Sequence, residues 1–164
     1  MKRSTDRILT THTGSLPRPN DLLEILRKKE SREPYDEAAL AARVKSSVAE
    51  IVRRQIDAGI DIVNDGEMGK PSYSTYVKDR LSGFDGSEKS APLMAADLGE
   101  FRDFTKRGGR ESGVAVLKRP GCTGPIAYRD RDAVAADIAN LKAALAGVNP
   151  AEAFISAASP GVVT

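Results

Sequence analysis

Between Asp36 and Val77 an amphipathic helical repeat runs through a glycine into a short β-branched run and then into a cluster of polar side chains. Leu40, Val44, Val48, Ile51 or Val52, and Ile56 recur at helical spacing, while Glu37, Arg43, Lys45, Glu50, Arg53 and Arg54 supply charge to the remaining surface. Gly59 is the residue type that commonly ends such a helix, and Ile60, Ile62 and Val63 after it read as a buried strand ending at Asn64. Helix, glycine and strand in that order form the second half of a βαβ unit, so the chain is expected to be α/β with parallel strands. Asp65, Gly66 and Glu67 follow the strand, with Lys70, Ser72 and Tyr73 close behind. Two carboxylates, an ammonium and two hydroxyls therefore gather at the C-terminal end of one strand, which is where parallel α/β folds bind ligands. An ordinary strand-to-helix loop capped by Asp65 and Ser72 draws on the same residue types, and both readings stand at this point.

The flanking sequence keeps the alternation. Ile8 to His12 reads as a first short strand, and Thr13, Gly14 and Ser15 lead into Leu16, Pro17, Arg18 and Pro19, a rigid loop because prolines so close together cannot sit inside a regular element. Asn20 is placed to cap a helix carrying Leu22, Leu23, Ile25 and Leu26 and ending in the basic run Arg27, Lys28 and Lys29. Tyr73 to Leu81 is expected to be a short helix closed by the turn Ser82 to Gly86. An irregular excursion at about 83–112 follows, then a weakly alternating segment at Val114, Val116 and Leu117. Cys122 to Tyr128 reads as a loop or a short strand. Asp132 is placed to cap a helix with Val134, Ile138, Leu141 and Leu145 as core positions and Gly147 as its stop. Phe154 to Ala158 is a last short apolar run.

Composition narrows the classes. The 164 residues fit one domain but fall short of a complete eight-stranded α/β barrel, which takes about 250. The 25 basic and 23 acidic residues leave a net charge of +2, too small to attract nucleic acid or an anionic membrane. No window approaches the run of about 20 apolar residues that spans a bilayer, so no membrane partner is expected. One cysteine, Cys122, cannot close an internal disulfide, which points to a reducing, cytoplasmic setting. Cys122 with the single histidine, His12, cannot supply the three or four ligands of a zinc site, so no metal ligand is assigned. As a small, largely apolar side chain, Cys122 is better explained by packing.

Two loops thus stand at strand ends, one with Thr13, Gly14 and Ser15 and the other with Asp65, Gly66 and Glu67, and in a parallel sheet both face the same side. A glycine flanked by hydroxyls lets backbone amides approach a carboxylate or phosphate, and Glu67 can hold an ammonium. Together they suit an amino acid; taken singly, Gly-Ser before a proline-rich turn is ordinary turn chemistry.

The motifs TTHTGSLPRP, GIDIVNDGEMGKPSY and RPGCTGPIAY, in that order, resemble the catalytic domain of the cobalamin-independent methionine synthase family and its shorter relatives. The resemblance implies a (β/α)8 TIM barrel of the methionine synthase and uroporphyrinogen decarboxylase type, of which residues 1–164 would supply about the first half as a single partial domain. It implies methyl transfer from a methylated folate to the thiol of homocysteine, activated by zinc. By position Thr13, Gly14 and Ser15 match the family's homocysteine-binding loop, and Glu67 matches the glutamate that holds the amino-acid end of that substrate. His12, next to the loop, and Asp65 are further candidates; His12 is more like the shorter relatives. Cys122 matches no family zinc ligand, and the family's His-x-Cys pair and later Cys would fall beyond Thr164. The open edges of a half-barrel would then need covering by the remaining portion, a second copy or a partner. Two alternatives remain: a related zinc-dependent alkyl or thiol transferase of the coenzyme M type, and a non-catalytic fragment without the metal half.

Overall fold

The computed structural model describes residues 2–12, 15–85 and 121–158. The expected segment at Val114 to Leu117, most of the excursion, and the loop residues Thr13 and Gly14 lie outside them. The described elements are α1 (Asn20–Glu30), α2 (Glu37–Asp57), β1 (Ile62–Asn64), α3 (Tyr73–Arg80), β2 (Phe84–Asp85), β3 (Gly121–Cys122), α4 (Asp132–Ala144) and β4 (Glu152–Phe154). The described elements mix helices with short strands, α1 following directly into α2 and β2 pairing with β3.

Helix α2 carries the anticipated stripe and stop and adds an N-cap. The Asp36 carboxylate accepts the Ala39 N–H at 3.0 Å, one apolar face carries the buried Val48, Ile51 and Val52, and the helix ends at a left-handed Gly59. The Gly59 N–H donates to the Ile56 carbonyl and the Ile60 N–H to that of Gln55, both at 2.9 Å, a pairing that satisfies the last carbonyls and turns the chain into β1.

Strand β1 is the middle of a parallel set. On one side Thr11 bridges to Ile62. On the other, β1 pairs with β4 in the register Ile62 to Glu152, Val63 to Ala153 and Asn64 to Phe154. Of the expected first strand, Ile8 to His12, only Thr11 makes this ladder contact, and the strand at the far side covers Glu152–Phe154, so the apolar run 154–158 begins where that strand ends. Helices α1, α2 and α4 pack around the sheet through a core of Leu22, Leu26, Val48, Ile51, Val52, Val63, Met68 and Leu141. Strands β2 and β3 pair antiparallel, Phe84 opposite Cys122 and Asp85 opposite Gly121.

Four local expectations are corrected. Asn20 is the first residue of α1, not its cap; Pro19 holds the cap position in an extended conformation with no side-chain bond, and Asp21 supplies the first-turn carboxylate. At α4 the capping carboxylate is Asp130, which accepts the N–H groups of Asp132 and Ala133 at 2.7 and 3.3 Å. Val134 and Ile138 are exposed, not core, because only the C-terminal part of the α4 stripe, at Leu141, Ala144 and Leu145, reaches the core beside α2. Cys122 is exposed as well: it lies in a two-residue strand of a surface hairpin, so its identity is not explained by core packing.

Candidate functional site

Because Thr11, β1 and β4 run parallel, the segments that leave their C-terminal ends meet on one side of the sheet. Ser15 comes from the first, the turn Asp65 to Lys70 from the second and Ser156 from the third. The geometry of the middle turn is fixed from its own sequence. Asn64 accepts the Gly66 N–H on its side-chain oxygen at 2.8 Å, and Asp65 accepts the Glu67 N–H at 3.1 Å. Side-chain acceptors two residues back are how Asn and Asp close tight turns. The turn also needs two successive left-handed residues, Gly66 at φ 62° and Glu67 at φ 57°. Glycine takes that conformation freely, whereas for glutamate it costs roughly 1–2 kcal/mol.

Surrounding groups hold the turn in place. Gln55 on α2 donates to the carbonyl of Asn64 at 2.8 Å and accepts its N–H at 3.1 Å, locking the end of β1. Asn64 donates from its side chain to the His12 carbonyl, and the Leu16 N–H donates to the Gly66 carbonyl at 3.1 Å, so the first loop is stitched to the second at two points. Arg18, between the two prolines, donates from Nη2 to the carbonyls of Glu67 at 2.7 Å and Lys70 at 2.5 Å, and from Nε to that of Met68 at 3.3 Å. Burial lowers the Arg18 pKa, opposed by the neighbouring Glu67 and Asp65 carboxylates.

Within this frame the two expected motifs are in contact. Ser15 Oγ donates to Glu67 Oε2 at 2.5 Å, linking residues far apart in sequence; Glu67 is 4% exposed and Ser15 is exposed. Asp65 stands beside Glu67 but serves a different partner. Its Oδ2 accepts from Lys70 Nζ at 2.8 Å in an ion pair whose side chains are 6% and 3% exposed. Lys70 Nζ also reaches the Ser156 carbonyl at 3.5 Å and Asp137 of α4 at 4.0 Å, and Asp137 is paired with Arg80 at 2.8 Å. Asp65 therefore ties the turn to β4 and α4, while Glu67 faces the first loop. His12 is half-buried next to that loop.

Sequence reasoning missed two contributors and the partner of a third. Gln55 was legible as a polar residue interrupting the apolar face of α2. Arg18 was visible only as part of a proline-rich loop. Lys70 was noted at the strand end, but nothing local named Asp65 as its partner. A cavity of about 110 Å³ lies behind Gly69 and Pro71, lined in part by Lys29, Glu30, Asp79 and Arg80; it is polar and separate from the Ser15 to Glu67 contact.

Among the described residues no group of three or more His, Cys, Asp or Glu side chains is placed to hold a metal ion. Cys122, the one thiol of the sequence, is exposed on β3 with its Sγ 3.6 Å from the Gly124 carbonyl. Among the described residues the donor set does not fit the zinc implied by the family resemblance. Among the described residues no helix is long and apolar enough to cross a membrane.

The described residues thus bring a polar cluster to the C-terminal ends of paired parallel strands. No family model matches the chain. A methionine synthase from Sulfolobus acidocaldarius is 38% identical to it over 79 residues, which covers 46% of this chain and 22% of that protein. The chain thus spans about a fifth of the length of the curated relative it matches.

Proposed function

We propose that the chain forms the opening part of a (β/α)8 barrel and provides the amino-acid-binding corner of a methyltransferase that acts on the thiol of homocysteine. The observation that carries this reading is the Ser15 to Glu67 hydrogen bond, which joins the two motifs on one side of a parallel sheet. The partial identity to a methionine synthase supports the same substrate class. In this reading Glu67 accepts hydrogen bonds from the substrate ammonium and Ser15 fixes the orientation of the Glu67 carboxylate. Thr13 and Gly14, outside the described residues, are assigned by the family resemblance to the same amino-acid end. The methyl donor in this reading is a methylated folate: a carbon–sulfur bond forms, a nitrogen–carbon bond breaks and the thiol proton passes to the folate nitrogen. This chain's described residues bind and orient; activation of the sulfur is assigned to none of them.

Calorimetric titration of the chain with homocysteine and with 4-mercaptobutyrate, the same thiol acid without the amino group, tests the assignment. Glu67→Gln is expected to weaken homocysteine binding by about 1.5–3 kcal/mol, the range for a hydrogen bond to a charged group, and to leave 4-mercaptobutyrate unaffected. Equal loss for both thiols, or none for either, would assign Glu67 to the fold or to a different acceptor, as in a coenzyme M type transferase.

A further inference from the structure

The left-handed conformation of Glu67 has no support from its own residue type, so the groups bonded to it impose it. Two of the supports are local, the Asp65 side chain on the Glu67 N–H and the Lys70 N–H on the Glu67 carbonyl at 3.0 Å. The third is Arg18. One guanidinium takes the carbonyls of Glu67, Met68 and Lys70, so it spans the second half of the turn from outside, and Pro17 and Pro19 on either side limit how far its own backbone can move. Arg18 lies in the same loop as Ser15, the residue that contacts the Glu67 carboxylate. The loop thus holds Glu67 at both ends, by its backbone carbonyl through Arg18 and by its carboxylate through Ser15.

We propose that Arg18 is a positioning residue for the amino-acid subsite, fixing Glu67 in the left-handed backbone conformation that presents its carboxylate to Ser15 and to the substrate ammonium. The substrate side of this proposal rests on the reading of Glu67 given above. The role requires a fork of donors. A lysine at position 18 keeps the charge but offers a single nitrogen, which cannot reproduce the Nε and Nη2 contacts to three carbonyls together.

The test uses Arg18→Lys in the full chain with two readouts. Amide hydrogen exchange at Lys70, whose N–H is bonded to the Glu67 carbonyl, is expected to speed up about tenfold while exchange at Val52 in the core of α2 stays at its wild-type rate. The dissociation constant for homocysteine is expected to rise about tenfold with that for 4-mercaptobutyrate unchanged, and Arg18→Lys added to Glu67→Gln is expected to produce no further loss. Unchanged exchange at Lys70 overturns the proposal, as does an equal loss of affinity for both thiols. If the wild-type chain does not distinguish the two thiols, the ammonium role of Glu67 falls and the subsite role of Arg18 with it; the exchange measurement then decides separately whether Arg18 pins the turn. Should Arg18→Lys lower exchange protection throughout α2, adding Glu67→Gly, which takes the left-handed conformation without cost, is expected to restore part of the Lys70 protection, and its failure to do so overturns the pinning role.

Discussion

Replacing Lys70 by methionine keeps an unbranched side chain, one atom shorter, and removes its charge, and the structure sets what should follow. The Lys70 and Asp65 side chains are 3% and 6% exposed and their charged atoms are 2.8 Å apart, so the change leaves a carboxylate in the interior without its counter-ion. Breaking a buried pair from one side typically costs about 3–5 kcal/mol. Two features place this site at the lower end. Asp65 keeps the Glu67 N–H on its other oxygen, and Asp137 is not orphaned, because its main partner is Arg80 at 2.8 Å and Lys70 stands 4.0 Å away. The expected loss is therefore about 3 kcal/mol, a large share of the 5–15 kcal/mol that usually separates folded from unfolded protein. Urea unfolding followed by far-ultraviolet circular dichroism measures it. Removing both charges, with Asp65→Asn and Lys70→Met together, should recover most of the loss, since a buried pair is seldom worth much more than a neutral replacement of similar shape. A Lys70→Met protein within about 0.5 kcal/mol of wild type, or a double variant whose loss is the sum of the two single losses, would refute the claim that this pair is an interdependent buried unit.

Two further outcomes are expected. Gly66→Ala would place a methyl 2.9 Å from Met68 Cε and 3.1 Å from Ile51 Cγ1 and Cγ2 at a positive φ, so it should cost about 3 kcal/mol, whereas Gly59→Ala, at φ 79° with open space around the new methyl, should cost only about 1 kcal/mol; equal losses by urea unfolding would contradict the packing part of this account. The Asp61 carboxyl is held well below the usual carboxylate range by the Arg7 guanidinium first and by the Thr10 N–H next, so its contribution to stability is present above about pH 4 and lost as the pH falls through the depressed folded value; thermal melts of wild type and Asp61→Asn should converge as the pH drops below about 4, and a pH-independent gap would contradict this.

What could be read from the sequence was what depends on near neighbours. The stripe of α2, the stop at Gly59 and the strand after it all rest on contacts within one turn or one step, and they appear at the expected places. The polar cluster after β1 was legible as a cluster, and Ser15 does meet Glu67. The choice of partners inside the cluster was not legible, because Lys70 could pair with either acid and only the turn geometry sends it to Asp65. Arg18 was hidden for a related reason: its acceptors are main-chain carbonyls, which leave no trace in residue type. The stripe of α4 misled for another reason. Periodicity shows which side of a helix is apolar, and Val134 and Ile138 belong to that side, but their exposure depends on what lies opposite. Cys122 shows the same limit, since a residue type that is usually buried lies here on a surface hairpin.

The central claim is that the Ser15 and Glu67 loops together form an amino-acid subsite. A crystal structure of the chain with homocysteine bound tests it most directly. The account predicts the substrate ammonium within about 3 Å of the Glu67 carboxylate, with the amino-acid end against the loop that carries Ser15. Homocysteine bound elsewhere, for example in the polar cavity beside Lys29 and Arg80, with Glu67 bonded only to protein groups, would contradict it.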